Sequence, residues 1–214
     1  MIHSNKQLHI GRIGRRLRRL PLFALFATGA LAIAVSACGS SSSNTGNSAS
    51  AQSAPPTVHL YTTILTGGMI NNTAGPAQGP KYVPADMTVP AGARVVLTII
   101  SYDDGPTPFP NASSPYLKVS GGTETIGGSP ITSMSNSEIA HTFTIPSLGI
   151  NAVIPAAPAR GSGEYMPVTV TFTFTASHSG SFTWECLDPC GSGSDGMGGA
   201  MATPGYMKGT LTVA

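Results

Sequence analysis

The chain has 214 residues, room for one domain and an export segment, with 9% charged residues against 26 glycines and 18 prolines. Six of its eleven basic residues (Lys6, Arg12, Arg15, Arg16, Arg18 and Arg19) precede an apolar run, and after Cys38 five basic residues face nine acidic ones, a net charge of −4. This leaves no basic patch and excludes a nucleic-acid partner; low charge with abundant Gly, Pro, Ser and Thr fits an exported all-β domain.

Residues 1–37 read as an export signal. Arg12 to Arg19 form the positive region, and Leu20 to Val35 the apolar one. Val35-Ser36-Ala37-Cys38 ends it with small residues followed by Cys. This ending resembles the lipobox of bacterial lipoproteins, which implies lipidation of Cys38 and an anchor at the outer face of the cell membrane, or in the periplasm. The apolar run is short for a spanning helix, which needs about 20 residues. The arginine pairs also raise twin-arginine export, without the rest of that motif. From Cys38 to Pro56 the chain lacks periodicity and has almost nothing to bury. It reads as a flexible tether holding the domain roughly 20–25 Å from the membrane.

Residues 57–214 read as one all-β domain. Thr57 to Leu65 is rich in β-branched residues. Met87 to Val89 and Arg94 to Tyr102 flank the turn Pro90-Ala91-Gly92, and Tyr116 to Ser120 is a short candidate strand. Glu138 to Ile145 places Ile139, His141, Phe143 and Ile145 on one side. The clearest strand runs from Pro167 to Ala176, where Val168, Val170, Phe172 and Phe174 alternate with threonines. Ser181 to Cys186 puts Phe182, Trp184 and Cys186 on one face, and Tyr206 to Val213 does the same for Met207, Gly209, Leu211 and Val213. Short strands joined by Gly/Pro turns predict a sandwich or barrel.

After Cys38 two cysteines remain, Cys186 and Cys190, and three histidines, His59, His141 and His178. Strand phase turns His141, Cys186 and Met207 toward the apolar interior, and thiolate, imidazole and thioether together suit copper. The segment from His141 through Pro146, Gly149 and Pro155, the loop from Gly180 through Cys186 and Cys190 to Gly193, and the ending Met207-Lys208-Gly209 resemble the copper (CuA) domain of cytochrome c oxidase subunit II, a member of the cupredoxin superfamily. The resemblance covers residues 138–214; residues 57–137 match only as generic cupredoxin strands. It implies a Greek-key β-sandwich that binds copper through His141, Cys186, Cys190 and the carbonyl of Asp188, with Met207 as the thioether ligand and Met197 as the alternative. It further implies electron transfer or copper handling near a respiratory oxidase, with a redox protein or the oxidase complex as partner. The family's second His is absent. Its place falls on Ser194 counted from Cys190, or on Pro204 counted from Met207, which implies a mononuclear or altered centre. Subunit II is normally held by spanning helices, which are lacking after Cys38.

Simpler readings stand beside these. Cys186 and Cys190 suit a disulfide in an exported protein as well as they suit a metal. A metal-free cupredoxin-fold interaction module with a Cys186–Cys190 disulfide is therefore the alternative function. His141 alone reads as a buried, hydrogen-bonded histidine, and Met197, Met201 and Met207 as packing residues or, together, as Cu(I) donors. His59 and His178 read as ordinary surface or half-buried histidines, and Asp103 and Asp104 as turn residues. No hydrolase, phosphate-loop, zinc-protease or dinucleotide motif occurs, so catalysis by this chain alone is not expected.

Overall fold

The computed structural model describes residues 54–70, 79–158 and 166–214. The signal at 1–37, Cys38 and the tether up to residue 53 lie outside the described residues. Among the described residues no helix is long and apolar enough to cross a membrane.

Eleven strands occupy the described residues: β1 (Thr57–Leu65), β2 (Lys81–Val83), β3 (Met87–Val89), β4 (Arg94–Ser101), β5 (Thr123–Ile126), β6 (Ser129–Ile131), β7 (Ile139–Ile145), β8 (Ile150–Pro155), β9 (Val168–Thr175), β10 (Gly180–Glu185) and β11 (Lys208–Val213). They form a six-stranded sheet in the order β2-β1-β4-β9-β5-β6 and a five-stranded sheet in the order β3-β11-β10-β7-β8. Both sheets are mixed, since β1 runs parallel to β4 and β3 parallel to β11. The all-β sandwich expected from the sequence is what the chain forms.

Alternation builds the central core. Val170, Phe172 and Phe174 of β9 are buried, as are Val95, Leu97 and Ile99 of its partner β4, while the intervening residues are more exposed. They pack in one cluster with Phe143, Ile145, Trp184, Met207, Leu211 and Val213 of the opposite sheet. At about 25 cal/mol per Å2 of apolar area removed from water, side chains of this size contribute the dominant stabilisation.

Two expectations need correction. Tyr116 to Ser120 is not a strand: Pro115–Leu117 is a turn of 3-10 helix capped by the Ser114 hydroxyl, and only isolated bridges at Lys118 and Ser120 follow. Strand β7 also does not bury one face only; every one of its residues is buried. A bulge between Ile139 and His141 puts Ile139 out of phase. Ile139 packs in a second cluster with Phe109, Leu117 and Val153, away from Phe143 and Ile145. The segment between β4 and β7 supplies this second layer. Asn151 anchors it by donating to the carbonyls of Tyr116 and Lys118 and accepting from Thr144 Oγ1.

Candidate metal centre

The centre lies where β7 passes the end of β10. Trp184 fixes the approach. It stacks on Phe143 at 5.0 Å, meets Tyr82 edge-on at 4.6 Å and donates its indole N–H to Ala85 O at 2.6 Å. A Cβ on Gly209 would stand 2.8 Å from that indole nitrogen, so only glycine fits beside the ring. Tyr82 donates its hydroxyl to Thr142 O at 3.0 Å. These aromatics hold the backbones of Thr142 and Trp184, and so of their neighbours His141 and Cys186.

Cys186 follows directly. Its N–H donates to Met207 O at 2.8 Å, and the next N–H, of Leu187, donates to Thr142 Oγ1 at 2.8 Å. Thr142 N–H in turn points at Cys186 Sγ, 3.3 Å away. Cys190 is brought back by a tight turn in which its N–H donates to Asp188 O at 2.7 Å. The two sulfurs stand 3.2 Å apart as free thiols. The carbonyl of Asp188 is 3.6 Å from Cys186 Sγ. One ring nitrogen of His141 and the two sulfurs all lie within 4.8 Å of one another, and all three residues are buried.

His141 presents its two nitrogens differently. Nε2 is 3.0 Å from Asp103 Oδ2, whereas Nδ1 is buried without a hydrogen-bond partner. A buried polar atom left unpaired costs about 1–3 kcal/mol. Here that atom is the free nitrogen of a ring set beside two thiols, the nitrogen a metal would take.

The charges follow from these contacts. Burial raises the Cys186 thiol, but the adjoining Cys190 thiol and the charge of the nearby His141 ring outweigh it and hold Cys186 well below the ordinary thiol range. The Cys186 thiolate, with burial, pushes Cys190 up, so Cys190 keeps its proton. Burial disfavours the His141 imidazolium, yet Asp103 and Cys186 on either side carry it up to about 9. Burial also raises Asp103, and the His141 contact overrides this and lowers it. These shifts all favour the charged forms of Asp103, His141 and Cys186. A cation that binds here displaces protons.

Thr107 ties the pieces together. Its hydroxyl lies 2.8 Å from Ala140 O and 2.7 Å from Asp188 Oδ2. A hydroxyl has one proton, and a carbonyl and a carboxylate both only accept. The single hydroxyl proton is therefore shared between the two acceptors. Burial pushes the Asp188 carboxyl up to about 7, while the Thr107 contact pulls it down.

Among the thioethers, that of Met201 touches a thiol, its Sδ standing 3.1 Å from Cys190 Sγ. Met207, preferred on strand phase, is fully buried in the central core and meets Cys186 through its carbonyl. Met197 is 40% exposed. The enlarged loop folds back because its glycines permit it. A Cβ on Gly191 would meet Met201 Cγ at 2.7 Å and collide with Gly198 O, and Gly196 adopts φ +71° against Pro189. Ser194 and Pro204, the two places for a second His, are both exposed, and so are His59 and His178. Sequence reasoning missed Asp103 as a partner of His141; the turn it assigned there is real, since Asp103 Oδ1 accepts the Gly105 N–H at 3.2 Å.

The chain matches no protein-family model and no curated protein. Among solved structures it is similar to the copper protein rusticyanin, at 18% identity over 74% of this chain and 78% of that one with a TM-score of 0.33. It is also similar to rusticyanin from Thiobacillus ferrooxidans, at 16% identity over 74% and 77% with a TM-score of 0.32. A third likeness is to auracyanin B, at 13% identity over 75% and 90% with a TM-score of 0.29.

Proposed function

We propose that this protein is an exported, membrane-tethered, cupredoxin-like copper protein with a single altered copper centre. The observation that carries this reading is the convergence of His141, Cys186 and Cys190 within 4.8 Å, with His141 Nδ1 buried and unpartnered. Two thiolates, an imidazole and the nearby thioether of Met201 are a soft donor set that suits copper, and Cu(I) in particular. Copper bound there supplies one-electron chemistry or a held Cu(I) ion. The chain's own residues set the conditions. The aromatic cluster excludes water, Thr142 N–H steadies the Cys186 sulfur, and Asp103 and Thr107 brace His141 and the cysteine loop.

The donor set fits one ion better than two. With Ser194 and Pro204 exposed and no further His facing the centre, the second imidazole of a dinuclear site has no substitute among the described residues. We further assign lipidation to Cys38 and a tether to residues 38–56, on the sequence Val35-Ser36-Ala37-Cys38 and the unpatterned stretch after it. Partnership with a respiratory oxidase or another redox protein belongs to the same proposal and rests on the motif resemblance.

A second reading has its own observation. The two sulfurs stand 3.2 Å apart, a short movement from a disulfide near 2.05 Å, and exported proteins oxidise such pairs. The metal-free, disulfide-bridged module is thus the competitor. Titrating copper into the reduced full chain while counting free thiols separates the two. Copper uptake with a sulfur-to-copper charge-transfer band, and both thiols protected from alkylation, supports the centre. No tight uptake, with the thiols closing to a disulfide, supports the module.

A further inference from the structure

We propose that Asp103 is a positioning residue that fixes the ring of His141, holding the Nε2 proton outward so that the Nδ1 lone pair meets an ion between Cys186 and Cys190. This deepens the copper reading and rests on it.

An imidazole has two neutral tautomers, and only one offers a lone pair to a metal on a given side. The hydrogen bond made by the other nitrogen decides which. In this protein that bond is to Asp103 Oδ2, at 3.0 Å, while Nδ1 has no protein partner. The carboxylate is itself pinned. Its Oδ1 accepts from Gly105 N–H at 3.2 Å, and its backbone carbonyl accepts from Ala157 N–H at 2.7 Å. Two residues beyond Gly105, Thr107 donates its N–H to Ile139 O at 2.8 Å, and its hydroxyl reaches Ala140 O and Asp188 Oδ2. The segment from Asp103 to Thr107 is therefore stitched along β7 up to the residue before His141, and onto the cysteine loop. His141 is fully buried, whereas Asp103 retains 19% of its side-chain exposure. Asp103 thus joins a sealed ring to the protein surface, where its charge also favours Cu(II) over Cu(I).

The test compares Asp103→Ala and Asp103→Asn with wild type and with Asp104→Asn, a neighbouring exposed carboxylate as control. Each full chain is reduced and loaded with Cu(I). Three quantities are read: affinity by chelator competition, the His141 ring protons by nitrogen-edited NMR, and the Cu(II)/Cu(I) reduction potential. Asn still accepts the ring N–H but lacks the charge. The expected results are as follows: Asp103→Ala lowers affinity by about 10–100-fold and loses the slowly exchanging Nε2–H resonance; Asp103→Asn keeps that resonance, recovers most of the affinity and raises the potential; Asp104→Asn changes nothing. A purely structural role for Asp103 would leave the potential of the Asn variant unmoved. Wild-type affinity, ring proton and potential in a folded Asp103→Ala variant would overturn the positioning role while leaving the copper reading intact. Failure of the wild type to bind copper overturns both, and is seen before any variant is compared.

Discussion

Among the places where the described residues bury polar side-chain atoms without partners, two differ in kind. On the six-stranded sheet, Glu124 of β5 lies 2% exposed, with Oε2 accepting the Val153 N–H at 3.0 Å and Oε1 unpaired. At the end of the five-stranded sheet, His141 Nδ1 and Asp188 Oδ1 are unpaired, and here a ring nitrogen and two sulfurs from separate segments crowd together. A lone buried acid answers its burial by holding a proton, as Glu124 does, pushed up to about 8. A cluster of donors with opposite charges in sequence has a second answer, an ion. The contrast separates a carboxyl that caps an edge strand from a group of side chains built to hold something.

The strongest way to break the contrast is at the cluster. Cys186→Ser removes the low thiol and is expected to abolish the charge-transfer band and to weaken copper binding beyond the about 10–100-fold expected from loss of a supporting residue. Retained binding, measured by chelator competition, would remove Cys186 from the ligand set. Next comes the scaffold. Trp184→Ala empties the aromatic stack and orphans Ala85 O, and should cost about 3–5 kcal/mol in denaturant unfolding of the metal-free protein.

The Glu124 side is sharpened by pH. Its folded pKa, about 8, lies above its unfolded value of 4.5, so the folded state holds the proton more tightly. The contribution is therefore full below pH 4.5 and is lost as pH rises toward 8, at about 1.4 kcal/mol per pH unit between these values. Glu124→Gln should flatten that part of the pH–stability curve; a slope unchanged by the substitution would show that Glu124 does not cause it. The smallest contrast lies within the loop: Met201→Leu should weaken Cu(I) binding, whereas Met197→Leu, at an exposed site, should leave it unchanged.

What could be read from the sequence, and what could not, follows the same division. The alternation of β9 and the phase of Phe182, Trp184 and Cys186 are local properties with a period of two, and the structure keeps them. The pairing of Cys186 with Cys190 across one tight turn was equally local. Three features were not. The bulge at Ala140 turns Ile139 to the outer layer, and no composition signal marks it. Met201 reaches Cys190 through a glycine-rich loop that has no period to count along. Asp103 lies 38 residues before His141, and its local sequence signals only the turn at Gly105. Side chains that meet through loops depend on tertiary hydrogen bonds, such as those of Thr107 to Ile139 and Ala140, which leave no mark in a single sequence.

A single copper ion held by His141, Cys186 and Cys190 has a spectroscopic signature of its own. Electron paramagnetic resonance of the reduced full chain after reconstitution and mild oxidation, with copper counted per chain, tests for it most directly. One copper per chain is expected, with hyperfine coupling to a single copper nucleus and a covalent sulfur signature. A signal shared by two copper nuclei, or a chain that stays empty with both thiols reduced, would contradict it.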